Sequence, residues 1–207
     1  MRKMILSLAA ALTAAGAFAD GRSDEILKTL QTKVAGFGNY RVEFSVTVDG
    51  QSLKGVYEVS GESYRIVTPD TEVYCDGRTK YEVSLPDREV LVDSVDPNDR
   101  TILGNPTRLF DFMDGTYTHK YVGKELVNGI NCDEVELRQA GSKEGEKLGA
   151  FISSSTGLPI RLVYWLDNLN TDAVVDIVKI TPRITLDDKA FYFDPSRFEG
   201  FELIDFR

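Results

Sequence analysis

Few residues in this chain have the chemistry of a catalyst. His119 is the single histidine among 207 residues, and the only thiols are Cys75 and Cys132. A serine hydrolase needs a nucleophile, a base and an orienting acid, and a Gly-x-Ser-x-Gly elbow where its fold uses one. His119 is the only base of the usual kind and no such elbow occurs. It lies in an alternating stretch, Tyr117 to Gly123, and reads as a strand residue rather than a catalyst. One histidine excludes a histidine-rich metal site. Asp96, Asn98 and Asp99 match part of a calcium loop, but Pro97 and the missing glycine and terminal glutamate turn the reading to a solvated turn. With 33 acidic residues, carboxylate pairs arise by chance and carry no signal. Cys75 and Cys132 read either as two buried small residues or as a disulfide closing a long loop, worth about 3–5 kcal/mol. Nothing in the spacing shows that they approach. The sequence therefore predicts no catalytic residue, metal or cofactor.

Composition points to a soluble globular chain: 42% hydrophobic, 28% charged, net charge −9. An acidic balance of that size argues against gripping nucleic acid and against tight adhesion to anionic membranes. Arg2 and Lys3 precede an apolar run from Met4 that ends in Ala17-Phe18-Ala19, the pattern of a cleaved secretory signal over residues 1–19. Cleavage leaves 207 − 19 = 188 residues from Asp20 and a charge of −9 − 2 = −11. The rest, 20–207, is expected to be one soluble domain in an exported, oxidising compartment.

The elements that must position any site follow from periodicity. Ser23 suits a helix cap, and Ile26, Leu27, Leu30, Val34 and Phe37 form one apolar stripe ended by Gly36 and Gly38. From Tyr40 the pattern changes to period two. Asp49-Gly50 predicts a two-residue turn pairing Val48 with Gln51, Val46 with Leu53, Phe44 with Gly55, Val42 with Tyr57 and Tyr40 with Val59. Gly61-Glu62 places Val59 beside Tyr64 and Tyr57 beside Ile66. Pro86-Asp87 sets Tyr81 against Val92 and Val83 against Val90. Asn105 and Pro106 open a predicted short helix over Thr107–Met113 with Leu109, Phe110 and Met113 on one face and Phe112 outside it. Strands are expected again over Tyr117–Gly123, Cys132–Leu137, Lys147–Ser153, Leu158–Leu166 and Ala173–Thr185. The aromatic sheet face is consistent with a filled core, or with a half-barrel left open for an apolar ligand under the short helix. Composition does not choose.

A resemblance does. Tyr40-Arg41-Val42-Glu43-Phe44 after an amphipathic helix, Gly55-Val56-Tyr57-Glu58-Val59 with Tyr64-Arg65-Ile66, the Cys75-Asp76-Gly77-Arg78-Thr79-Lys80-Tyr81 turn, Asn105-Pro106, and the close Phe191-Tyr192-Phe193-Asp194-Pro195 to Phe206-Arg207 together resemble the outer-membrane lipoprotein carrier family, the LolA-like periplasmic chaperones. The resemblance implies a mainly β fold: an incomplete, strongly bent antiparallel β-barrel with an N-terminal amphipathic helix and short lid helices. It implies carriage of acylated lipoproteins through the periplasm by a monomer, with an inner-membrane ABC transporter as donor and an outer-membrane acceptor. The expected acyl-chain cavity is lined by Val42, Phe44, Val46, Tyr57, Val59, Tyr64, Ile66, Tyr81 and Val83, with Leu109, Phe110, Phe112 and Met113 as lid. The family's best-known branch ties its lid with an arginine before a proline. The corresponding turn here is Ser60-Gly61-Glu62-Ser63, Arg65 is shifted, and that role is not carried over. The alternatives are an envelope-stress sensor or lipid-binding module on the same fold, or an envelope protein with a filled core.

Overall fold

The computed structural model describes residues 11–99, 101–139, 141, 146–165, 172–187 and 189–207, with side chains from residue 21 onward. The signal-like residues 1–10 lie outside the described residues. One helix, α1 (Ala11–Ala35), precedes twelve strands: β1 (Tyr40–Val48), β2 (Gln51–Ser60), β3 (Ser63–Val67), β4 (Thr71–Cys75), β5 (Thr79–Ser84), β6 (Glu89–Ser94), β7 (Tyr117–Val127), β8 (Ile130–Gln139), β9 (Lys147–Ser153), β10 (Pro159–Trp165), β11 (Ala173–Pro182) and β12 (Glu202–Asp205). The mainly β class with one N-terminal helix and an open sheet is as expected from the sequence; the pairing is antiparallel as expected except at one edge, where β12 runs parallel to β6. No described helix is long and apolar enough to cross a membrane. The chain forms two compact units.

The first unit holds 1–33 and 112–172, with strand order β10-β9-β8-β7. Ile26, Leu27 and Leu30 of α1 are buried; burying a leucine fully is worth about 1.5–3 kcal/mol. The helix extends N-terminal to Ser23, so Ser23 is an interior helix position and not the predicted cap. Its side chain is sealed from solvent and turns to β7, where Ser23 Oγ lies 3.0 Å from His119 Nδ1.

The second unit holds 34–111 and 173–207, with strand order β12-β6-β5-β4-β3-β2-β1-β11. All five predicted pairs of the β1–β2 hairpin occur, as do Val59↔Tyr64 and Tyr57↔Ile66 and Tyr81↔Val92 and Val83↔Val90. Asp49 and Gly50 both take positive φ, 51° and 74°, the geometry of a tight hairpin turn whose twist matches its strands. Opposite Phe44 only glycine fits: a Cβ on Gly55 would meet Phe44 Cζ at 2.6 Å.

The register overturns one expectation. Paired residues share a face, so one face can be followed from strand to strand. From Tyr40, Val42 and Phe44 it passes to Val59, Tyr57 and Gly55, then to Tyr64 and Ile66, then to Cys75 and Val73. On β5 it arrives at Lys80 and Glu82. Tyr81 and Val83, predicted for the same cavity, therefore lie on the opposite face. There Val83 packs with Tyr74, Val90, Val92 and Phe198, and Tyr81 lies against the cluster. Phe193 stacks on Tyr81 at 4.7 Å and on Phe198 at 5.5 Å. The C-terminal segment thus fills this second face.

Candidate functional site

The remaining predicted cavity residues come together. Val42, Phe44, Tyr57, Val59, Tyr64 and Ile66 line one face and all are buried; Val46, nearer the hairpin tip, is half-buried. Val73, Cys75 and Tyr40 extend that face; the predicted hairpin register already put Tyr40 on it, though none of the three was expected among the cavity residues. Aromatic edges knit it: Phe37 meets Tyr40 at 5.4 Å, Tyr40 meets Tyr57 at 6.2 Å, and Phe44 meets Tyr57 at 6.0 Å.

A cover lies over it. The predicted helix Thr107–Met113 is instead a 3-10 turn, Pro106–Arg108, followed by irregular chain. Seven residues are too few for a self-supporting helix, and the would-be cap is otherwise engaged: Asn105 Oδ1 accepts the Thr107 hydroxyl at 2.6 Å and makes no cap to a backbone N–H. Pro106 stands at the first position as expected. The 3-10 turn packs on β2 and β3, and Ile102, Leu109 and Phe110 are buried. Phe112 and Met113 belong to the first unit. Phe112 is buried, its ring 5.9 Å from Tyr117. With no helix beyond Arg108, the predicted facing of Leu109, Phe110 and Met113 away from Phe112 does not hold.

Tyr64 fastens the cover to the face: its hydroxyl donates to the Gly104 carbonyl at 2.7 Å. Gly104 is fixed in turn. Its N–H donates to Thr101 Oγ1 at 3.0 Å, the Thr101 N–H and hydroxyl both donate to Asp99 Oδ1 at 2.8 Å, and a Cβ on Gly104 would fall 1.7 Å from Asp99 Oδ2. Asp96 Oδ1 accepts the Asn98 N–H at 2.8 Å. The calcium-like cluster is thus a hydrogen-bonded turn that shapes the cover. Burial pushes the Tyr64 phenol far above its ordinary range, and the neighbouring Cys75 adds to this, so the hydroxyl stays a donor. Arg65 points the other way, its ion pair reaching Glu72 at 3.6 Å and its guanidinium lying 5.4 Å over Tyr74. Cys75 and Cys132 are both buried free thiols. Burial raises the pKa of each.

In the first unit His119 sits between two successive residues of α1. Nε2 lies 3.3 Å from Asp24 Oδ1 and Nδ1 hydrogen-bonds with the Ser23 hydroxyl, a serine–histidine–aspartate contact. Ser23 is completely buried, so no substrate reaches its hydroxyl, and the contact serves to dock α1 on β7. The spacing Ser23–Asp24 gave no sign of a partner ninety-six residues away.

No family model and no curated protein matches the chain. Solved structures do. An uncharacterized conserved protein from Thermus thermophilus superposes with a TM-score of 0.61 at 8% identity, over 89% of this chain and 99% of that one. MucB gives 0.51 at 14% identity, over 89% of this chain and 66% of that one. A LolA superfamily protein, NE2245 from Nitrosomonas europaea, gives 0.43 at 13% identity, over 83% and 97%. At such identities the likeness is one of fold. What is shared is the fold, with the Thermus thermophilus protein and with MucB.

Proposed function

We propose that the chain is a periplasmic carrier that shields the acyl chains of lipoproteins and conveys them from the inner to the outer membrane. It would act as a binding protein rather than an enzyme, formed by residues 20–207 after loss of the signal and working as a monomer. The observation that carries the reading is the contrast between the two covered faces of the second unit. The C-terminal cover is bound by the β12–β6 ladder, by stacked rings, and by Arg197, which pairs with Glu72 at 3.2 Å and hydrogen-bonds Tyr74. The cover over Tyr57, Tyr64 and Ile66 is a short 3-10 turn and loop, fastened through the Tyr64 hydroxyl. One hydrogen bond contributes about 0.5–1.5 kcal/mol net. Opening also uncovers the buried Leu109 and Phe110, so entering chains, at about 0.8 kcal/mol for each methylene taken from water, must replace the apolar contacts of those side chains as well as outweigh the bond.

In this reading Leu109 and Phe110 move off the face as chains enter; Phe112 and Met113, expected as part of the lid, belong to the first unit and are given no part in it. Val42, Phe44, Tyr57, Val59, Tyr64 and Ile66 contact the chains, and Val46 the outer end. Tyr81 and Val83 take no part. Donor and acceptor are an inner-membrane ABC transporter and an outer-membrane receptor. Purification from the periplasm of an exporting cell tests this: the chain should carry acylated lipoprotein, and its depletion should strand lipoproteins at the inner membrane. Normal sorting after depletion contradicts it.

A further inference from the structure

The first unit carries a second, chemically different hollow. An open pocket of about 330 Å³ lies between α1 and the turn joining β9 to β10. Along the helix it is bordered by Arg22, Glu25, Thr29 and Lys33, spaced so that they share one side of α1. The opposite wall is Ser153–Gly157. Gly157 takes φ +65°, and a Cβ there would lie 3.0 Å from Thr29 Cγ2 and 3.1 Å from Lys33 Cε, so glycine lets the turn close on the helix.

Asp133 gives the pocket its character. Its side chain is 3% exposed, and a buried carboxylate is costly unless well paired. Its partners are the Ser154 hydroxyl at 2.7 Å, the Tyr121 hydroxyl at 3.2 Å, and the Arg22 guanidinium at 3.7 Å. The guanidinium stands closer to Glu25, at 2.7 Å. Asp133 therefore keeps acceptor capacity and Arg22 keeps donors, side by side. Two cations, Arg22 and Lys33, and two carboxylates, Glu25 and Asp133, balance along the walls, which favours neither an anion nor a cation. Ser154, Ser155 and Thr156 add hydroxyls that donate and accept. Ile26 and Ile152 supply apolar surface between them.

We infer that this pocket binds a neutral polyhydroxylated ligand, a saccharide unit, with Asp133 and Arg22 gripping adjacent hydroxyls and the isoleucines taking its C–H face. The inference is independent of the carrier reading and concerns other residues.

The test is amide-resolved NMR titration of the signal-free chain with glucose and with N-acetylglucosamine, and with inorganic phosphate and putrescine as charged comparators. A saturable shift confined to the Ser153–Gly157 turn and α1, with either sugar and at a Kd in the millimolar range, about 1–10 mM, supports the site. Asp133→Asn should weaken it about tenfold, the loss of one charge-assisted hydrogen bond. Ser155→Trp, at an exposed turn position, fills the pocket without touching the buried carboxylate and should abolish the shift. No saturable shift by about 100 mM sugar overturns the inference. So does unchanged sugar binding in Ser155→Trp, or preferential binding of phosphate or putrescine at this turn.

Discussion

Tyr64 and Gly104 are forty residues apart in sequence, and the phenolic hydroxyl of one donates to the carbonyl of the other at 2.7 Å. That bond joins the buried apolar face to the loop over it. Tyr64→Phe keeps the ring and removes the donor. The Gly104 carbonyl then loses a buried partner, at a cost of about 1–3 kcal/mol. Urea denaturation should show a loss in that range, and an apolar dye should bind faster than to the parent chain. An unchanged dye rate would remove Tyr64 from any latching role.

Separating the two faces makes a second prediction. Ile66→Ala empties buried space and should destabilise by about 2–5 kcal/mol, while Tyr81→Ala removes a half-buried ring and should destabilise by less. Only Ile66→Ala should weaken acyl-chain binding, because Tyr81 lies under Phe193 on the other face. Equal loss of binding in both variants would show that the two faces act together.

Gly55 offers a steric test. A Cβ there meets Phe44 Cζ at 2.6 Å and Thr68 Cγ2 at 3.1 Å. Gly55→Ala must displace a ring packed on Tyr57, and overpacking of this kind costs about 1–3 kcal/mol. Thermal unfolding should show it, and Gly55→Ala combined with Phe44→Leu should recover part of the loss.

Acid stability depends in part on the β4–β5 turn. The backbone N–H of Thr79, and after it that of Arg78, hydrogen-bond the Asp76 carboxylate, each at 2.9 Å, and hold its pKa below the usual carboxylate value. A group depressed in the folded state stabilises above its unfolded pKa of about 3.9 and loses that contribution as pH falls through the folded value. Asp76→Asn should therefore lower stability at neutral pH and flatten the acid limb of the stability curve below about pH 4. An acid limb as steep as the parent's would contradict the assignment.

Much of this architecture was legible because hairpin turns announce their own register. Asp49-Gly50 determined five cross-strand pairs and Gly61-Glu62 two more, all found in the structure. The side assigned to Tyr81 and Val83 was not legible from those local pairs. It depends on counting through the Thr68-Pro69-Asp70 connection, where Val67 pairs with Glu72, and each hairpin there joins an odd position to an even one. Apolar character alone does not say which of two covered faces a strand serves. The short helix failed for a different reason: Leu109 and Phe110 are buried by the face beneath them, which satisfies their apolar character without helical periodicity. Ser23 is a good cap by residue type, yet His119 recruits it from across the unit. The acid and hydroxyl wall at Asp133 had no signature, since one aspartate among 33 acidic residues is invisible until the fold buries it.

The most direct measurement of the central claim is equilibrium binding of an acylated lipopeptide, and of the same peptide without its acyl chains, to the purified signal-free chain. Saturable one-to-one binding of the acylated form alone, weakened by Ile66→Ala and unaffected by Tyr81→Ala, is the predicted result. Equal binding of both peptides, or binding of neither, would contradict the claim that acyl chains occupy the face beneath residues 101–111.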